Sequence, residues 1–206
     1  MEIRDTIVII TGASGGIGLA TARLLSKNGA KVALVARSTD KLASIAATLP
    51  GSFAVTADMS RGPDIRNMVK SIHGHYGRID VLINNAGRGM WNSAEKTDLE
   101  QYRGLMESAY ASTKYALNAI SLTARAELAA DNIRVGIMLP GMTATDFGKN
   151  AVGSRPAGRG APAPGSPAGP APAMPPVETA EQVAEKIMEA IQTESAEVLA
   201  NSMQTR

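Results

Sequence analysis

The sequence has no cysteine among its 206 residues. That absence excludes disulfides, thiolate nucleophiles and cysteine-ligated zinc together, and it suits a reducing cytoplasm. Aromatic residues are scarce, with one Trp, four Tyr and two Phe. Trp91 is therefore expected to pack near a cleft rather than form part of a stacking platform. The formal charge is only +2, and Lys and Arg alternate with Asp and Glu instead of forming the basic stripe that nucleic acid or acidic lipid requires. No apolar run reaches the ~18 residues of a membrane span. The five residues ahead of the first apolar strand leave no room for a secretory leader. His73 and His75 close a predicted helix, where they suit its C-terminus better than a metal site, and no metal is expected.

With 44% hydrophobic residues, the chain has enough apolar material for one compact domain. Thr6 to Ile10 is a short β-branched run ended by glycines, as in a strand buried on both faces. A helix from Ile17 to Asn28 is stopped by Gly29. Strands at 32–36, 53–56 and 81–84 alternate with helices at 39–49 and 63–76. Strands alternating with helices of this length make right-handed crossovers, so the fold expected is α/β, a three-layer, doubly wound parallel sheet of Rossmann type. Beyond Gly87 an amphipathic stretch at 98–107 leads into a helix from Tyr110 to Ala130, a strand from Ile133 to Leu139 and the pair Pro140-Gly141. Between Gly153 and Pro176, eight prolines, five glycines and six alanines favour polyproline II or disorder over helix or ladder. A helix over 180–191 and a strand at 198–199 close the chain. The organisation expected is a nucleotide-binding core over 1–152, a flexible Ala/Pro/Gly loop over 153–176, and a C-terminal helix over 177–206 completing the same domain.

Thr11-Gly12-Ala13-Ser14-Gly15-Gly16-Ile17-Gly18 stands between the first strand and the first helix. Glycines there let the backbone turn tightly, approach a pyrophosphate and direct helix N-terminal amides at it. Gly12, Gly16 and Gly18 are the candidate cradle, with Ser14 and Ile17 lining the phosphates. Where an NAD site places an acid against the adenosine ribose, this sequence has Ala36 and then Arg37. A guanidinium can fork onto a 2′-phosphate, which favours NADP(H) over NAD(H); the alternative is an exposed loop arginine. Asp58 suits either an acceptor for the adenine amino group or a turn or helix-cap aspartate.

Thr-Gly-x-x-x-Gly-x-Gly at 11–18, Asp58, Asn84-Asn85-Ala86-Gly87 and Tyr110-Ala111-Ser112-Thr113-Lys114, in that order within a βα pattern, resemble the short-chain dehydrogenase/reductases. The resemblance spans residues 3–150, with a looser match at 177–199. It implies a nicotinamide cofactor and an oxidoreductase acting on a small carbonyl or alcohol. It also implies that Asn84, Ala86 and Gly87 lie near the cofactor, that Tyr110 is the acid/base, that Lys114 holds the nicotinamide ribose, and that Pro140 and Thr143 meet the carboxamide. Independently of the resemblance, Tyr110 and Lys114 at i, i+4 share a helix face, and a nearby ammonium favours the ionised phenol.

The sequence departs from that pattern in one interval. Only residues 88–109 separate Gly87 from Tyr110, where the family has a helix and a further strand, and such a unit takes ~30 residues or more. One helix-strand unit is therefore expected to be missing, and with it the strand that carries the family's catalytic serine. Thr97 and Asp98 stand at that spacing but read as a helix start, while Ser108 and Ser112 point off the Tyr110 face. The fourth strand is left with an open edge or a rearranged sheet, and a homo-oligomer built on the shortened helix is in doubt. Two other readings stay open: a non-catalytic NADP-binding or regulatory protein on the same fold, and a destabilised remnant.

Overall fold

The computed structural model describes residues 1–87, 113–151 and 176–201. The stretch at 98–107, Trp91, Tyr110, Ser108, Ser112 and nearly all of the Ala/Pro/Gly segment lie outside them. Strand β1 (Ile7–Thr11) and strand β2 (Lys31–Ala36) flank helix α1 (Gly16–Lys27) in the chain. Helix α2 (Thr39–Ala46), strand β3 (Phe53–Thr56), helix α3 (Gly62–Tyr76) and strand β4 (Val81–Ile83) follow. These four strands form one parallel sheet in the order β3-β2-β1-β4.

Alternation along the strands decides what each face buries. Val8 and Ile10 of β1 and Val32 and Leu34 of β2 point to one side, packing with Ala22 and Leu25 of α1 and Leu42 and Ile45 of α2. Ile9, Ala33 and Val35 point to the other side, where Met68 and Ile72 of α3 cover them. The result is three layers, as the alternating strand and helix pattern predicts. Gly29 follows α1 at φ 89° and Gly77 follows α3 at φ 80°, the left-handed stops that spare a side chain strain.

The second half differs. Helix α4 (Thr113–Glu127) runs into a 3-10 turn over Leu128–Asp131, and strand β5 (Ile137–Leu139) ends before Pro140. Helix α5 (Ala180–Thr193) begins with a capping box, in which Thr179 and Gln182 satisfy each other's backbone amides. It packs through Ala180 and Ala184 onto Ala20 of α1. Strand β6 (Glu197–Leu199) then pairs with β5 in a separate two-stranded parallel sheet. Among the described residues β5 pairs with β6 and not with β4.

One expected boundary is corrected. The predicted strand over 133–139 is only Ile137–Leu139, because a strand needs a partner and β6 begins at Glu197, opposite Ile137. Before that point Glu194 turns the chain at φ 54°. There Arg125 donates to the carbonyls of Val135 and Glu194, which takes both segments out of a ladder. Among the described residues no helix is long and apolar enough to cross a membrane.

Candidate functional site

The site grows from the junction of β1 and β4. Thr11, the last residue of β1, donates its hydroxyl to the Ile83 carbonyl at 3.2 Å. The same oxygen accepts from the amides of Asn85 and Ala86, each at 3.0 Å. Asn85 in turn donates its side-chain amide to the Thr11 carbonyl at 3.0 Å. A hydroxyl that is both donor and double acceptor satisfies three backbone groups at a place where two parallel strands end and no ladder continues.

The glycines are required by what surrounds them. A Cβ on Gly12, which stands at φ 70°, would lie 3.0 Å from the Ala86 Cα and from the Asn85 side-chain nitrogen. A Cβ on Gly18 would lie 2.5 Å from the Gly12 carbonyl oxygen. Gly18 therefore lets α1 start against the turn, and Gly12 lets the turn lie against the end of β4. Gly15 caps α1 without a side-chain bond, and the first turn carries no acid. The free amides of that turn and the positive end of the helix dipole thus point at the loop. Such a cradle fits the diphosphate of a dinucleotide, the group for which these residues were singled out.

The other candidates are distributed around it. Ser14 is half-buried in the loop, while Ile17 also packs against the α1–α5 contact. Arg37 is exposed immediately beyond β2. Asp58 follows β3, and its Oδ1 accepts from the Ser60 amide at 3.0 Å and the Ser60 hydroxyl at 2.8 Å. Those two bonds, and then the positive charges of Arg37 and Arg61, hold its carboxyl below the ordinary aspartate value. Asp58 therefore braces a turn, and its charge also lies within the field of Arg37. Asn84, Ala86 and Gly87 leave the end of β4 beside the loop. Lys114 is the second residue of α4, and its expected partner Tyr110 lies outside the described residues.

Thr143 and Pro140 are placed beyond β5. The Thr143 hydroxyl donates to the Gly141 carbonyl at 3.1 Å, and its backbone bridges to Glu178. Thr145, which the sequence reading passed over, is the threonine that touches the loop: its methyl carbon would lie 3.3 Å from a Cβ on Gly16. Asn85 enters the sequence argument only as a member of the Asn84-to-Gly87 motif, with no role of its own. The repeated asparagine was visible in the sequence; the need for it beside Gly12 and Gly18 arises only once β4 pairs with β1.

Comparison with known proteins agrees with the fold. The family model for short chain dehydrogenases matches residues 6–108 and 99–155. An uncharacterized oxidoreductase of Staphylococcus saprophyticus is 30% identical over 191 residues, covering 71% of this chain and 77% of that protein. Among solved structures, a 3-ketoacyl-(acyl-carrier-protein) reductase from Brucella melitensis, complexed with NADH, superposes with a TM-score of 0.81 at 18% identity, covering 99% of this chain and 100% of its own. A short-chain dehydrogenase from Sphingobium yanoikuyae, in complex with NADPH, gives 0.76 at 21% identity, with coverages of 95% and 88%.

Proposed function

We propose, from the premise that the chain belongs to the short-chain dehydrogenase family of oxidoreductases, that it transfers hydride reversibly between NADP(H) and a small carbonyl or alcohol. The observation that carries this reading is the cradle of Gly12, Gly16 and Gly18, held in shape by Thr11 and Asn85, with Arg37 standing where an NAD site would have an acid. When bound, the nicotinamide supplies the hydride. The amides at the start of α1 hold the diphosphate, and Arg37 forks onto the 2′-phosphate. Asp58 accepts from the adenine amino group, Asn84, Ala86 and Gly87 border the ribose, and Pro140 and Thr143 border the carboxamide.

In reduction Tyr110 gives its phenolic proton to the carbonyl oxygen, and in oxidation it takes that proton back. Lys114, one helical turn on, favours the phenolate and orients the ribose. The family's serine has no counterpart in the 88–109 interval, so the substrate oxygen has one donor fewer. At comparable oxyanion sites that costs ~10²–10³ in rate. The domain is read as a core over 1–152, an Ala/Pro/Gly loop over 153–176 and a closing helix over 177–206.

A second reading, an NADP-binding protein without turnover, is favoured by the shortness of the 88–109 interval, which leaves no place for the family's serine strand. NADPH titration of the full chain, followed by turnover with a panel of ketones and aldehydes, separates the two readings. Binding together with turnover that Tyr110→Phe abolishes is the expected result. Binding without turnover establishes the second reading, and undiminished turnover in Tyr110→Phe overturns the first.

A further inference from the structure

Gly15, at the N-terminal cap of α1, has no side chain of its own to meet an anion. Among the described residues, the space a Cβ would take there is approached by one neighbouring side chain, that of Lys41, whose ammonium nitrogen would lie 3.8 Å away. Lys41 comes from the first turn of α2, which begins directly after β2 ends at Ala36. Arg37 and Lys41 therefore bracket the β2–α2 turn, on the side of the loop where the sheet order places β2 next to β1. In a sheet of this type the adenosine half of a dinucleotide lies over the end of that second strand.

We infer that Lys41 supplies the second positive charge for the adenosine 2′-phosphate, working with Arg37 from across the glycine loop. The chemical need is one of charge: a phosphate monoester carries nearly two negative charges at neutral pH, and one guanidinium leaves about half of that uncompensated. Two acids could compete for the ammonium. Asp146 lies in the field of Lys41 but is held at 2.6 Å by Lys149, and Lys149 is the larger cause of its lowered pKa. Asp40 is the adjacent residue on α2, about 100° round the helix from Lys41. The long lysine stem lets the ammonium swing from the Gly15 position to the phosphate without moving the backbone.

This inference rests on the NADP(H) reading above, and the test separates the two. Dissociation constants for NADPH and NADH are measured by fluorescence titration on the full chain and on Lys41→Met, Lys41→Arg and Arg37→Met, across a range of salt concentrations. Lys41→Met is expected to weaken NADPH by roughly ten-fold and flatten its salt dependence, leave NADH within about two-fold, and be largely rescued in Lys41→Arg. An unchanged NADPH affinity in Lys41→Met, or an equal loss for both nucleotides, overturns the role of Lys41 while the NADP(H) reading stands on Arg37→Met. A native chain that prefers NADH overturns both. Because Lys41 is exposed, the variants are expected to melt with the parent, which a thermal scan checks.

Discussion

The β1–β2 centre of the main sheet and its neighbour β4 are built from similar strands and differ in how completely they are enclosed. Every residue of β1 and the four central residues of β2 are buried, because each of these strands has a partner on both edges and helices on both faces. In β4 the same kind of apolar sequence is only partly covered, and Leu82 is 52% exposed. Among the described residues it pairs with β1 alone. Ile120 and Leu122 of α4 are exposed as well. An apolar side chain contributes its transfer free energy only when neighbours surround it. Strands of similar apolar character therefore contribute unequally here, β1 and β2 more than β4.

The sharpest way to break this comparison is to truncate one leucine in β2 and one in β4. Leu34→Ala empties a fully buried position and is expected to cost about 3 kcal/mol, whereas Leu82→Ala should cost under about 1 kcal/mol. Chemical denaturation measures both, and equal losses would mean that the β4 side is as tightly packed as β2. Next in size, Gly18→Ala sets a Cβ 2.5 Å from a backbone oxygen and is expected to cost about 2 kcal/mol. It should also remove detectable NADPH affinity, since α1 can no longer meet the turn. Retained binding in a folded Gly18→Ala protein would show that the cradle tolerates displacement.

The smallest effect is electrostatic. The Asp58 carboxyl is held below its ordinary value, first by the Ser60 amide and hydroxyl and then by Arg37 and Arg61. A depressed folded value means that its stabilisation is complete above the unfolded value near ~3.9 and is lost as pH falls through the lower folded value. Asp58→Asn keeps the Oδ1 acceptor and removes the charge, so it should lower stability at pH 7 by no more than about 0.5 kcal/mol, given the exposure of the site. The difference from the parent should vanish as pH falls through that lower folded value. A gap that persists in acid would mean that the turn depends on geometry rather than on charge.

Much of this was legible in the chain itself. The runs at 6–10, 32–36 and 53–56 could be read as strands, each within one residue of the observed bounds, because their apolar and β-branched residues stop at glycine or near a helix start. The 11–18 motif could be placed at a helix N-terminus because strand and helix flank it. Thr145 and Asn85 were not legible, since their importance depends on which glycine each one touches. The shortness of β5 was not legible either, since Ile133 to Gly136 carry no signal that their partner strand begins only at Glu197.

By itself, then, the sequence determined the alternation of strands and helices, the glycine cradle and the arginine in place of an acid. Each of these is a local matter of backbone freedom, period and side-chain charge. Only the tertiary structure decided that β5 and β6 pair apart from the main sheet, that Thr145 rather than Thr143 lies on Gly16, and that the Lys41 ammonium stands at the cap of α1. Those outcomes depend on contacts between residues far apart in the chain, and long-range pairing follows from which edges and faces remain open after the local elements have formed.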